Sequence, residues 1–435
     1  MTSADSNGLP DWLGDDVRFA REAPAGFVAL PGRPGVWVRE AALATLLACM
    51  LEERDAMRAE VGEVVERLPV LAADHATALR RGLGRRAPGP DADVHDHLRD
   101  RVALLDLERR SLLVDRQTSL RALSWTVRTR VPMWLRPRLG ILWQHAPVPV
   151  RLPRRYTLAR PPRAAPKISI VTPSLNQGEF IGDTLASVLD QGYPNVEYVV
   201  QDGGSTDSTA EVLERHRHRL HHVHSGPDDG QADAINRGFA RTSGEIMAYL
   251  NADDVLLPGA LATVARHFQA HPDVDAVYGQ RILVDDANRQ VGIWVTPAHD
   301  DEMLVWSDCV PQETLFWRRS AWERVGAGLD ESFHFAMDWD LLLRMRDAGV
   351  RFHRIPRFLG AFRVHAAQKT TAMEDVGLAE SAMLLERVHG RPVAWEECWR
   401  RLRGYFRRHV ALHTAHRVAA RLPAPRFTPA WLRPR

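Results

Sequence analysis

From Lys167 onward, short apolar runs alternate with stretches whose apolar positions recur every three to four residues. The run "KISIVTPS" is β-branched and ends in turn residues, which predicts a strand. Ile181, Leu185, Val188 and Leu189 then mark one face of a helix. "VEYVVQDGGSTD" repeats the strand and turn, and "STAEVLERH" restarts a helix. "LHHVHSGPDDG" reads as a weaker third strand and loop, "QADAINRGFART" as a helix, and "EIMAYLNADD" as a fourth strand. Strand and helix in this rhythm predict an α/β domain with a mostly parallel sheet, spanning about 166–390. Such sheets bind ligands beyond the carboxyl ends of their strands. Polar residues gather at those ends: Ser174 and Asn176, then Asp202, then Asp228, then Asp253 and Asp254.

The flanks follow other patterns. Residues 1–160 are expected to be helical, on the 3.6-residue spacing of "EAALATLLACMLEERDAMRAEVGEVVERL" and "LRDRVALLDLERRSLLVDRQTSLRALSW". The Pro-punctuated "ARPPRAAPK" predicts a linker into the α/β domain. Residues 391–435 predict a basic helical tail, with Trp399, Leu402, Phe406 and Val410 on one face.

Composition adds one asymmetry. The net charge of the 435-residue chain is only +2, yet no Asp or Glu lies between Asp115 and Glu179, and none follows Glu397. An acid-free basic stretch carrying Trp125, Trp134 and Trp143 suits an anionic membrane surface. It equally suits a helical layer whose arginines are solvated or meet the acids of the α/β domain. Cys49, Cys309 and Cys398 show no metal or disulfide spacing, which predicts a reducing compartment. The N-terminus is acidic and polar, unlike a signal peptide, and no apolar run approaches the roughly 20 residues that cross a bilayer. A cytoplasmic protein, peripheral at most to the membrane, is expected.

The adjacent carboxylates of "NADD" raise the chemical question. They remain ionised if a divalent cation sits between them and a ligand, since Mg²⁺ and Mn²⁺ sites use one or two carboxylates and fill the rest with water and phosphate oxygens. The competing expectation is that Asp254 caps the helix of "VLLPGALATVARHF". Asp338 in "FHFAMDWDLLLRM" has the same ambiguity, as a helix cap or a general base, and Asp340 is spaced to pair with Arg344. His365 lies near Arg363, Gln368 and Lys369 and is either structural or a ligand to a metal such as Mn²⁺.

The segment from Lys167 to about Thr371 resembles family 2 glycosyltransferases, which have the GT-A nucleotide-sugar fold. The resemblance rests on the order and spacing of "ISIVTPSLNQGEFIGDTLASVLDQGYPNVEYVVQDGGSTDST", "SGPDDGQADAINRGFARTSGEIMAYLNADD", "PQETLFWRRSAW", "MDWDLLLRM" and "FRVH". It implies that Pro173 and Ser174 line a nucleotide pocket and that Asp202 binds the base with Asp228 beside it. It also implies that Asp253 holds the ribose and assists the metal, that Asp254 ligates Mn²⁺ or Mg²⁺, and that Asp338 is the catalytic base. His365 matches a position that in some relatives reaches the metal or diphosphate. The chain departs from the pattern at Asn251, Met337 and Leu175, where many members have Asp, Glu and an aromatic residue. The implied activity is inverting transfer from a nucleoside-diphosphate sugar, with a UDP-sugar foremost, to a glycan or lipid-linked glycan. The alternative is a catalytically silent glycan-assembly or glycan-binding subunit. No nucleic-acid partner is expected, because the aspartates of the domain repel phosphate unless a metal is bound.

Overall fold

The structure, a computed structural model, describes residues 17–19, 27–29, 36–39, 138–145, 147–365, 368–369, 373–420 and 425–435. The chain divides into two compact units, Met1–Val102 and Ala103–Arg435. In the first, Val17–Phe19, Phe27–Ala29 and Val36–Arg39 form an antiparallel sheet with Val36–Arg39 in the middle. This corrects the expectation that residues 1–160 are helical throughout. The β-branched and aromatic runs "VRF", "FVA" and "VWVR" are punctuated by Gly and Pro, a strand signature that the longer helical periods nearby obscured. The two helical stretches expected further on, and Trp125 and Trp134, lie outside the described residues.

The second unit is built on one large sheet. Its first half follows the expected order: β1 (Ile168–Ser174), α1 (Ile181–Leu189), β2 (Val196–Asp202), α2 (Thr209–His216), β3 (His222–Ser225), α3 (Gln231–Phe239) and β4 (Ile246–Tyr249). Next come β5 (Val255–Leu256), α4 (Ala260–Ala270), β6 (Ala276–Asp285), β7 (Arg289–Trp294) and β8 (Phe316–Arg318). The unit closes with α5 (Met337–Asp347), β9 (Phe352–Val364), α6 (Glu374–His389) and α7 (Trp395–Ala419). The strand order is β3-β2-β1-β4-β8-β6-β9-β5, with β7 added beside β6. Pairing is parallel through β3-β2-β1-β4 and between β6 and β9, and β8 enters antiparallel between β4 and β6. The domain is therefore α/β, with a parallel first half. The central strands are buried on both faces, as their unbroken apolar runs require.

Residues 391–435 are not a separate tail. Cys398 and Leu402 of α7 belong to the same apolar core as Trp339 and Leu342 of α5. Arg426–Phe427 pairs with Leu152–Pro153, and Leu432 is buried with Val150, Tyr156 and Phe358. The buried face of α7 carries Cys398, Leu402, Tyr405, His409 and His413, whereas Trp399, Phe406 and Val410 sit at its margin. Polarity alone marks the two histidines as solvent positions, but here they pack as neutral rings, stacked with centroids 5.5 Å apart. Several arginines of the basic flanks do meet acids of the α/β domain: Arg408 with Asp300 at 2.7 Å and Arg435 with Asp183 at 2.6 Å. Trp143 packs beside Leu283, Val291 and Val364 on the sheet. Among the described residues, no helix is long and apolar enough to cross a membrane.

His409 sets a pH limit on this packing. Its Nδ1–H donates to the Val295 carbonyl at 2.8 Å, and its Nε2 accepts the Arg138 N–H at 3.1 Å, so only the neutral ring fits. Burial drops its pKa from 6.5 to about 4, and burial does the same to His413. The unfolded chain therefore binds more protons than the folded one between these values, and stability falls as pH drops from 6.5 toward 4. Thermal melts across this window are expected to show a smaller pH slope in His409→Leu than in the wild type, although the variant is less stable at pH 7.

Candidate active site

The carboxyl ends of β1 and β4 open onto a cleft of about 710 Å³, a size that suits a small-molecule ligand. Pro173 and Ser174 from β1, Asp228 after β3, Asp253 after β4, and Asp338 at the start of α5 all line it. Five residues expected at the site thus converge from four separate chain segments. Asp202, Asp254 and His365 do not line the cleft.

Asp202 stands in register with Ser174 and Ser225 at the ends of their strands, and it is fully buried. Its carboxylate accepts the Ser205 N–H at 3.1 Å, the Ser205 hydroxyl, and the Ser225 hydroxyl at 2.6 Å. It thereby fixes the "DGGS" turn and does not face the pocket. Asp228 sits against that turn: a Cβ on Gly203 would come within 2.8 Å of its Oδ2, so glycine gives Asp228 its room. Burial raises the Asp228 carboxyl, while the N–H of Gly230 acts against this. Ser174 Oγ is buried with no hydrogen-bond partner among the described residues, which leaves it ready for a ligand. Leu175 is exposed at the cleft lip.

The two adjacent acids face different ways. Asp253 opens to the cleft, and its Oδ2 lies 3.0 Å from His365 Nε2. Asp254 is buried behind it and accepts the backbone N–H of Arg363 at 3.0 Å. Burial pushes its carboxyl well up, and the negative charges of Asp253 and Glu313 add to that. Asp254 does not cap α4, because Val255–Leu256 pairs with β9 before the helix begins and Gly259 occupies the cap position. As a metal donor set, Asp253 and His365 supply one carboxylate and one imidazole, which fits Mn²⁺ better than Mg²⁺. Among the described residues, no group of three or more His, Cys, Asp or Glu side chains is arranged to hold an ion, so a bound metal would complete its shell with ligand oxygens and water.

Asn251 joins a chain of amides along the cleft. Lys369 Nζ donates to Gln231 Oε1 at 2.6 Å, and Gln231 Nε2 donates to Asn251 Oδ1 at 2.7 Å. Asn251 Nδ2 then donates to Gln312 Oε1 at 3.3 Å, and Gln312 Nε2 to the Tyr249 carbonyl at 2.9 Å. Behind it, Arg281 makes a buried two-pronged pair with Glu313, its guanidinium 4.6 Å from the Trp294 ring centre and 4.7 Å from that of Phe362.

On the opposite wall, Asp338 accepts the N–H of the next residue, Trp339, at 2.8 Å and otherwise faces the cleft. Ala336 holds the N-cap position without a side-chain bond, so Asp338 is not the N-cap residue, although it satisfies one first-turn N–H while lining the cleft. Burial holds its carboxyl above the usual range, while the charges of Lys369 and Arg281 pull it down. Asp340 points the other way, into ion pairs with Arg344 at 2.8 Å and Arg387 at 2.7 Å. Met337 is buried in the core. Asp308 also lines the cleft, and the sequence gave no warning of it, because "WSDCV" has neither a strand period nor a recognisable motif. The surrounding protein and the Asp338 charge raise its carboxyl, even though the side chain is exposed to cleft water.

Residues 169–316 match the profile of the family described as "Glycosyl transferase family 2". The chain is 30% identical over 298 residues to the O-antigen biosynthesis protein RfbC of Myxococcus xanthus, spanning 62% of this chain and 23% of that one. It is 31% identical over 185 residues to a PGL/p-HBAD biosynthesis glycosyltransferase of Mycobacterium bovis, spanning 42% of this chain and 70% of that one. Among solved structures, S. aureus TarS 1-349 in complex with UDP-GlcNAc aligns at TM-score 0.42 and 17% identity over 59% of this chain and 76% of that one. The mannosyltransferase PcManGT from Pyrobaculum calidifontis in complex with GDP-Man and Mn²⁺ aligns at TM-score 0.42 and 18% identity, covering 74% and 88%.

Removing Arg281 alone leaves the Glu313 charge buried and unpaired. Arg281→Met is expected to cost about 3–5 kcal/mol in urea unfolding, and Arg281→Met with Glu313→Leu to recover most of it.

Proposed function

The chain belongs to glycosyl transferase family 2, and on that premise we propose that it is an inverting, metal-assisted enzyme. It moves a sugar from a nucleoside diphosphate to a hydroxyl of a cell-surface glycan or its lipid-linked precursor. One observation carries this reading: Asp253 and Asp338 come from different elements and face one cleft, which Pro173, Ser174 and Asp228 also line. The relatives named for O-antigen and PGL/p-HBAD biosynthesis support a cell-surface product.

Ser174, Leu175 and Asp228 hold the nucleoside, with the free Ser174 hydroxyl as one hydrogen-bonding group. Asp253, with His365 behind it, faces the diphosphate and is the side chain through which a divalent ion is held; Asp254 supports the turn from inside. When bound, the ion stabilises negative charge on the leaving diphosphate. Lys369, tied to Gln231, adds a second positive charge to the cleft. Asp338 takes the proton of the acceptor hydroxyl as that oxygen bonds to the anomeric carbon. The bond from that carbon to the diphosphate oxygen breaks, the electron pair leaves with the diphosphate, and one such displacement inverts the anomeric centre. Asn251 and Met337 do not favour the silent-subunit alternative, since the first completes the amide chain and the second fills the core.

A thermal-shift screen of UDP, GDP and their sugars, with and without Mn²⁺, tests the donor half. The wild type is expected to be stabilised by one nucleoside diphosphate, and the Mn²⁺-dependent part of that shift to vanish in Asp253→Asn. No stabilisation by any nucleoside diphosphate sinks the proposal. Asp338→Asn is expected to lower turnover about 10²–10⁴-fold with the nucleotide affinity retained. In the pH profile of turnover, the acid limb reports ionisation of Asp338, so Lys369→Met, which removes a charge that favours the ionised form, is expected to move that limb to higher pH. For the membrane, co-sedimentation with anionic vesicles at low and high salt decides whether the basic flanks bind; recovery in the supernatant at low salt rules that out.

A further inference from the structure

Three consecutive backbone N–H groups precede the helix that carries Asp338, and all three point at one carboxylate. His334 N–H donates to Glu380 Oε1 at 2.8 Å, Phe335 N–H to Oε2 at 2.8 Å, and Ala336 N–H to Oε2 at 2.7 Å. Successive N–H groups arranged in this way form an anion nest. Glu380 belongs to α6, remote in sequence, and is 7% exposed. Burial works against its ionised form, but the three N–H bonds prevail and hold its carboxyl below the usual range. Gly377, one turn earlier, lets α6 approach this closely, since a Cβ there would lie 2.8 Å from the Phe335 ring. A second tie, Arg387 to Asp340, secures the same two helices further along.

We propose that Glu380 is a positioning residue for Asp338: by binding the three N–H groups immediately before α5 it fixes where that helix starts, and so holds the Asp338 carboxylate toward the acceptor side of the cleft. An aspartate at the second position of a helix normally satisfies nearby free N–H groups. Here the three N–H groups just ahead of α5 are taken by Glu380, and Asp338 accepts the first-turn N–H of Trp339 with the rest of its carboxylate toward the cleft. This inference rests on the reading of Asp338 as the base and adds the group that holds it in place.

The test uses Glu380→Gln, which puts an amide N–H₂ against backbone donors, and Glu380→Asp, which keeps the charge on a shorter arm. Hydrolysis of the UDP- or GDP-sugar that best stabilises the wild type supplies kcat, and titration of the matching nucleoside diphosphate supplies Kd. Glu380→Gln is expected to lower kcat about ten- to a hundredfold with Kd unchanged, and Glu380→Asp to fall between it and the wild type. Amide exchange in the peptide spanning 333–339 is expected to quicken in Glu380→Gln. Combined with Asp338→Asn, Glu380→Gln is expected to add nothing further, because it acts through Asp338. An active wild type with kcat unchanged in Glu380→Gln, or effects that multiply in the double variant, or equal losses in kcat and nucleotide binding, overturns the inference. A wild type that hydrolyses no donor overturns the reading of Asp338 itself.

Discussion

One buried arginine holds the acidic turn together. Arg363 is 1% exposed. Its backbone N–H takes the carboxylate of Asp254, its Nε–H takes the carbonyl of Asp253, and its guanidinium reaches Asn288 and Asp183 while lying 4.8 Å from the centre of the Phe180 ring. Two adjacent carboxylates at a strand end repel each other, and both cannot share one environment at low cost. The turn resolves this by sending them to opposite sides. Asp254 goes inward, beside the long strand β9 that carries Arg363; Asp253 goes outward, where a cation can meet it. Phe180 packs against both Arg363 and His365, so the same aromatic ring steadies the turn and the imidazole behind Asp253.

The sheet explains why the two walls of the cleft come from distant sequence. The parallel strands β1, β2 and β3 stack Ser174, Asp202 and Ser225 in one row at their carboxyl ends. The mixed half, where β8 runs antiparallel between β4 and β6, leads into α5, whose first turn lines the same cleft as Ser174. The C-terminal helices then close behind α5, and their apolar residues join its core. What reads as an appendage in sequence is the outer layer supporting the wall that carries Asp338.

Much of the parallel half was legible because its signals are local. The runs at Ile168, Val196 and Ile246 have strand length and composition, and turn residues follow each one. Family resemblance brought Asp253 and Asp338 to the cleft; spacing alone left Asp254 undecided between cap and metal ligand, and Asp338 between cap and general base. The roles within "NADD" were not legible, because two adjacent acids look alike until β9 arrives from 109 residues away to claim Asp254. Asp202 was assigned to the base, yet its carboxylate is occupied by Ser205 and Ser225, partners that a linear pattern does not distinguish from ordinary turn residues. The histidines of α7 escaped for a related reason: hydropathy counts them as polar, whereas burial makes them neutral core residues.

The amide at position 251 carries a consequence for how such chains diverge. Asn251 both accepts from Gln231 and donates to Gln312, and Gln312 in turn donates to a main-chain carbonyl. An aspartate there accepts but cannot donate, so it would set two oxygens against each other unless Gln312 flipped and orphaned the Tyr249 carbonyl. The absent acid is therefore not a relic of decay. An aspartate there would keep the bond from Gln231, so the constraint lies at 312 alone: a carboxylate at 251 calls for a donor in place of the Gln312 carbonyl that now faces it.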